Sequence, residues 1–265
     1  MAKLSLSRAW DETRDVLSRD GKLIGTVALA LVFLPGVVAG VVNPDSEGLP
    51  KTMGDLLLLT AVAVIGIVGQ LAMIRLAMGM RSSVGEAIRH GLQRAPSYIA
   101  ASILWLLPFM ILAYFLAGDA FRSPENAPPS SVLAACFILI ALIIISVRML
   151  MTSPVASAEH AGPVEILRRS WALTSGHWWR LFGFLLMFLL VALIALGAAG
   201  AIVGIVAGLV FGSIEAMTVG ALFVAFFVEL VTTIVTVGFL VMVARVYVQL
   251  SGPDHAGVSV PSSGT

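Results

Sequence analysis

Glu229 is the one acidic residue well inside a long apolar run of this chain, in the setting Phe226-Phe227-Val228-Glu229-Leu230. An ionisable group at that depth is costly, so it calls for a proton, a bound ion or a hydrogen-bond partner. Thr232, Thr233 and Thr236 follow at helical spacing, and Gln70 and Ser146 are the other polar residues in such runs. Two kinds of chemistry suit this set. One is a carboxyl held neutral and hydrogen-bonded to a threonine or a carbonyl. The other is a carboxylate that binds a coupling ion or a proton. As a lining for a substrate path the set is thin.

A second set is basic and aromatic. Arg168, Arg169 and Arg180 stand close in sequence to Trp171, Trp178 and Trp179, while Arg75, Arg148 and Arg245 each lie near the end of an apolar run. Guanidinium groups pair bidentately with phosphates, and indole rings settle at headgroup depth. The set therefore suits lipid headgroups. Arg75, Arg148 and Arg245 equally suit snorkelling to the interface, or clamping the helix end of a neighbouring unit. No catalytic set is found. His90, His160, His177 and His255 lack metal-ligand spacing, and no His-Glu-x-x-His, nucleophile elbow or glycine-rich phosphate loop occurs. The chain reads as non-enzymatic, with no cofactor and no metal.

The elements that position these residues are six apolar runs, at 23–42, 53–78, 95–117, 131–150, 181–210 and 219–250. Each is at least about the 20 residues that cross a bilayer core. Hydrophobic residues make up 59% of the chain and charged residues 12%, with a mean hydropathy of +1.01. A soluble domain carries about 25% charged residues, so the expected fold is an all-α integral membrane protein of six transmembrane helices. Of the 16 Lys and Arg residues, only Lys51 and Arg122 fall in the loops after odd-numbered runs. The positive-inside tendency then places both termini in the cytoplasm of a bacterial inner membrane. Acidic residues interleave with the basic ones on that side, which points away from nucleic acid and towards anionic inner-leaflet lipid. The first run reads as an uncleaved helix whose outer end is marked by Pro35-Gly36, then Asn43-Pro44 and Gly48-Leu49-Pro50, as turn signals. Residues 1–250 form one domain, and the Gly/Ser/Pro-rich stretch 251–265 reads as a disordered tail. Cys136 is alone and reads as inert packing.

A repeat organises the runs. Each odd-numbered run follows a short amphipathic stretch: Leu6, Trp10, Thr13 and Leu17 before the first, Val84, Ile88 and Leu92 before the third, Val164, Leu167 and Trp171 before the fifth. Ser83 with Glu86 is a capping-box pattern, Pro163 suits a first helical turn and Gly176 a helix stop. Ile88–Leu92 lines up with Leu167–Trp171, and Arg75, Arg148 and Arg245 close the even runs. The economical description is three units, each an interfacial helix lying in the headgroup region, a span out and a span back. Gly200, Gly204, Gly208 and Gly212 fall four apart in the fifth run, a spacing that lets another backbone approach. That stripe suits packing against span six or span one, or homodimerisation. Pro108 suits a kink in the third span.

Residues 163–190 carry a resemblance. Ser170-Trp171, Leu173-Thr174, Gly176, Trp179-Arg180 and Phe182-Gly183 match a helix pattern of a bacterial membrane family that includes the integral-membrane domain fused to some glycerophosphoryl diester phosphodiesterases. The catalytic barrel of those enzymes is missing from this chain. The resemblance implies an inner-membrane protein concerned with envelope or lipid homeostasis. The expected function is a lipid-interacting or scaffold protein whose partners are anionic inner-leaflet lipids and a second copy of itself. The alternative is a small transporter or channel using Glu229 and a kinked third span.

Overall fold

The structure, a computed structural model, describes residues 5–42, 52–80, 82–122, 124–212 and 216–252, and ten α-helices occur among these described residues. The outer loop expected at 43–51 lies outside the described residues, as does the expected tail beyond its first two residues. No strand occurs among the described residues.

Helix α1 (Leu6–Ala28) opens on Ser5, whose Oγ accepts the Arg8 N–H. It does not stop where the amphipathic stretch ends. A π-helical turn, Leu29–Phe33, carries it directly into α2 (Leu34–Val42). The first amphipathic stretch and the first span are therefore one helix, and Pro35 and Gly36 lie inside it rather than at a turn. The physical reason is local. The Leu34 N–H reaches back to the Leu29 carbonyl in the wider π register, which accommodates a proline that has no N–H to give.

Helix α3 (Met53–Ala77) opens on a capping box of Thr52 and Asp55, and α4 (Val84–Leu116) on the expected box of Ser83 and Glu86. Helix α4 again merges an amphipathic stretch with its span, running unbroken through Pro96 and Pro108. Then follow α5 (Gly118–Arg122), α6 (Pro129–Arg148) and α7 (Thr152–Ala158). The third amphipathic stretch alone is a separate helix, α8 (Pro163–Thr174), which has Pro163 in its first turn and stops before Gly176 at φ +82°. Helices α9 (Trp178–Phe211) and α10 (Val219–Ser251) complete the chain.

Six of these stretches, with Leu6–Val42 and Pro129–Ala158 each taken as one, are long and apolar enough to cross a membrane, and the chain is an all-α multi-pass membrane protein. Its packing is lopsided. Buried side chains gather at the end that carries the arginines, here the basic end, where Leu71–Ala77 of α3 and Leu240–Ala244 of α10 are enclosed by α1, α4, α7 and α8. Of the most apolar eighteen residues of α3, 33% are buried, against 6% in α4 and 11% in α6 and in α9. Towards the far end the spans present Phe115, Phe137 and Leu209 outward.

The tight helix crossings use glycines other than the expected ones. A Cβ on Gly91 would lie 2.6 Å from the Val68 carbonyl oxygen, one on Gly69 2.9 Å from Leu31 Cβ, and one on Gly40 3.0 Å from Ala225 Cβ. At Gly200, Gly204, Gly208 and Gly212 it would meet nothing within 4 Å. The expected packing of that stripe against span six or span one is therefore not made. Spacing shows which residues share a helix face; it does not show which face a second helix approaches.

Candidate functional site

The three amphipathic stretches present one pattern. Ala9, Gly91 and Ser170 are buried, the next residue in each case points out, and the residue three further on, Thr13, Ala95 or Thr174, is buried again. The outward residues are Trp10 at 52% exposure, Leu92 at 61% and Trp171 at 46%, and Trp179 reaches 77%. Small residues every fourth position let these helices press onto the core, which lifts one large apolar side chain off it each time. Thr13, expected with Trp10 on the outward stripe, is turned inward and donates to the Ala9 carbonyl at 2.7 Å. Trp178, expected at the lipid surface, is half-buried: its Nε1 donates to the Ile144 carbonyl at 3.2 Å and its ring stacks on Phe182.

The arginines divide. Arg245 Nε and Nη2 both donate to Glu12 Oε2, at 2.9 and 2.8 Å, clasping the last helix to the first. Arg148 lies 5.1 Å from the Trp171 ring centroid, donates to Ser175 Oγ at 3.3 Å, and its own carbonyl accepts Ser170 Oγ at 2.8 Å. Arg75 faces the opening of α4, close enough to Glu86 and His90 to interact with both, and its Nε is buried without a partner. Each closing arginine thus sits against the amphipathic helix of the next unit, the clamping arrangement rather than free snorkelling. Arg169 is taken by Glu159 at 3.0 Å. Among the basic candidates named from sequence, Arg168 and Arg180 remain exposed, flanking Trp171 and Trp179.

A polar hub that sequence reasoning missed lies behind this rim. Helix α7 is buried from Thr152 to Ser157, and its carbonyl end needs donors. Arg94 supplies them: Nε to the Ala156 carbonyl at 2.9 Å, and Nη2 to those of Glu159 at 2.6 Å and Ala161 at 2.9 Å. His90 Nε2 lies 2.8 Å from the Ser157 carbonyl, and Ser157 Oγ donates to the Leu71 carbonyl at 2.9 Å. Glu159 Oε1 accepts both Arg169 Nε and the Tyr247 hydroxyl, the latter at 2.8 Å. These side chains are engaged with one another and with backbone, so the hub joins α3, α4, α7, α8 and α10 rather than handling a ligand. One signal could have found it: Tyr247 stands two residues after Arg245, which is named from sequence for its charge alone.

Two further features bear on chemistry. At the basic end a cavity of about 320 Å³ is lined by Leu23, Leu76 and Met80 together with Arg19, Asp20, Gly79 and Ser82. Within the spans, the polar residues named with Glu229 separate. Gln70 Nε2 reaches Tyr98 at 3.4 Å and Thr232 Oγ1 donates to its own helix at 2.9 Å. Thr233 is buried with its hydroxyl unpartnered. Glu229 is half-buried, its carboxyl occupying the space a side chain at Gly36 would need. Among the described residues no group of three or more His, Cys, Asp and Glu could hold a metal ion.

Comparison with curated proteins and with solved structures finds no match. A family described as a domain of unknown function, DUF7847, matches residues 4–250, which takes in all six spans, the three amphipathic stretches and the polar hub. The chain belongs to the DUF7847 family.

Proposed function

We propose that this chain is a non-enzymatic, lipid-interacting membrane protein whose working surface is the basic end of the bundle, seated in the cytoplasmic leaflet of a bacterial inner membrane with both termini in the cytoplasm. The observation that carries the reading is the recurrence of an outward Trp10, Leu92 and Trp171 at the same position of three helices, with Trp179 beside them. Large apolar side chains left outward beside exposed arginines match the headgroup region, where indole is favoured and each nearby cation contributes about 1 kcal/mol towards anionic lipid. The cavity at the same end, lined by both apolar and charged side chains, suits an amphipathic molecule such as a lipid. The resemblance at 163–190 adds a role in envelope or lipid homeostasis.

Brominated lipids test this, because they quench the fluorescence of indoles that touch them. In single-tryptophan variants with the remaining tryptophans changed to Phe, the chains keeping Trp171 or Trp179 should be quenched strongly, and more so in anionic lipid at low salt. The chain keeping Trp178 should be quenched less. Unquenched Trp171 and Trp179 would sink the lipid-surface reading. A reporter fused after Thr265 checks the orientation, and periplasmic phosphatase activity there would reverse it.

A further inference from the structure

Glu229 sits where the first span and α10 cross, and the crossing is built around it. Gly36 leaves the room that its carboxyl fills. The π-helical turn Leu29–Phe33 and Pro35 immediately precede that glycine, so the helix opposite the acid is locally wider than an α-helix. One helical turn beyond Glu229, the Thr233 hydroxyl is 95% buried by its residue exposure of 5% and has no hydrogen-bond partner. It stands close enough to the Glu229 carboxyl to act on it without closing a hydrogen bond of standard geometry.

Among the described residues no second charge shares the crossing. Helix α10 packs against α1, the π turn, α2, α3, α7, α8 and α9. The π turn, α2 and α7 carry no ionisable residue; those of α1 end at Lys22, those of α3 are Asp55 and Arg75 at its two ends, those of α8 lie at the basic end, and α9 carries Arg180 in its first turn. On α10 itself the other charge is Arg245, separated from Glu229 by roughly 24 Å of helix. Among the described residues an ionised carboxylate at this depth therefore has one stabilising group in register, Thr233, and no counter-charge.

We propose that the crossing is a proton-exchange site, in which Glu229 takes up and releases a proton within the membrane and the Thr233 hydroxyl is the donor that turns to the carboxylate when the proton leaves. An alkali cation stripped of its water needs a full shell of oxygens. A carboxylate and one hydroxyl do not make such a shell, whereas a proton needs a single acceptor. The site is independent of the lipid-facing rim at the basic end.

The test uses dicyclohexylcarbodiimide, an apolar reagent that adds to protonated carboxyl groups in apolar surroundings and leaves a stable acylurea. The full-length protein in lipid nanodiscs is treated across a pH series and the labelled peptide located by mass spectrometry. Glu229 should be the labelled acid, and its rate should fall at least tenfold as pH rises, with no change when sodium replaces potassium. At a pH where the native chain has stopped labelling, Thr233→Val should still label at least threefold faster, an effect that loss of packing alone does not produce. Labelling of Glu229 after unfolding in detergent but at no pH in the nanodisc would overturn the proposal. So would labelling that ignores pH, or labelling that sodium suppresses at fixed pH and ionic strength, which would make the site one for a metal cation. If Thr233→Val does not fold, the native pH series and the sodium comparison still decide.

Discussion

The two ends of this bundle are held together by different means. At the basic end, helices meet through buried small residues, a clasp between Arg245 and Glu12, and an arginine that binds three carbonyls of the α7 end. At the far end, α4, α6 and α9 stand with most of their surface outward, and bonds between side chains of different helices give way to apolar contact. Water competes for polar groups at a membrane surface, so bonds there must be specific to be worth forming. In the hydrocarbon region lipid tails are as apolar as leucine, and close packing is the main source of helix association. The difference teaches that the architecture is specified at one surface, and that the far halves of the spans are free to be covered by lipid or by another membrane segment.

Four experiments break or sharpen that contrast, all read as thermal unfolding of the purified protein in one detergent. The largest effect is expected from Arg94→Met. Three carbonyls lose a charge-assisted donor, at about 1–3 kcal/mol each with partial relaxation, giving on the order of 3–5 kcal/mol of destabilisation. A loss below about 1 kcal/mol would mean that water replaces the guanidinium and that α7 is not pinned there. Next comes a matched pair of glycines. Gly91→Ala drives a methyl towards the Val68 carbonyl and should destabilise by about 1–3 kcal/mol. Gly204→Leu and Gly208→Leu should change monomer stability by no more than about 0.5 kcal/mol. Damage from either leucine at low protein concentration would show that the far end is closed in solution.

The clasp comes third. Glu12→Gln and Arg245→Met should each cost about 1–2 kcal/mol, and the double variant should lose less than their sum, because the two groups share one interaction. Additive losses would show that Arg245 works elsewhere. The smallest effect belongs to the far end. Phe137→Ala, at a side chain that is 71% exposed, should fall within about 0.5 kcal/mol of the native chain. A large loss there would mean that α6 packs more closely than its outward phenylalanine implies.

Local signals in the sequence were legible and distant ones were not. The six apolar runs, the Ser83–Glu86 capping box and the Pro163 and Gly176 limits of α8 all rest on contacts within a few residues, and each appears in the structure. Pro35-Gly36 misled because a turn and a π-widened helix both accommodate that pair, and only the packing of α10 against it selects the helix. The glycine spacing in α9 was real, but the approach of a second backbone is a tertiary event that Gly36, Gly40, Gly69 and Gly91 receive instead. Helix α7 escaped notice since seven residues with two serines and a proline carry no readable period. Its burial depends on Arg94, which is more than sixty residues away in the chain from the carbonyls it binds. Of the candidate site, the amphipathic stretches were readable but not their facing: Trp10, Leu92 and Trp171 point outward while Leu6, Leu17, Val84, Ile88 and Leu167 of the same stripes pack against the core, and the diversion of Arg169 to Glu159 depends on a fold that brings α7 and α8 together.

The clasp between Arg245 and Glu12 spans 233 residues of chain, and Ser5 N–H also donates to Gln249 Oε1 at 3.2 Å. During synthesis α1 therefore has its seat made by α10, which emerges long after it. At about 5–20 residues per second, Glu12 waits on the order of 10–50 s for its partner. Throughout that interval Glu12 has only Arg8 of its own helix as a partner, and the small-residue face of α1 that α10 will cover stands open at the membrane surface. Both change when α10 is in place, so the arrival of α10 is registered at α1, in the pairing of Glu12 and in the covering of that face.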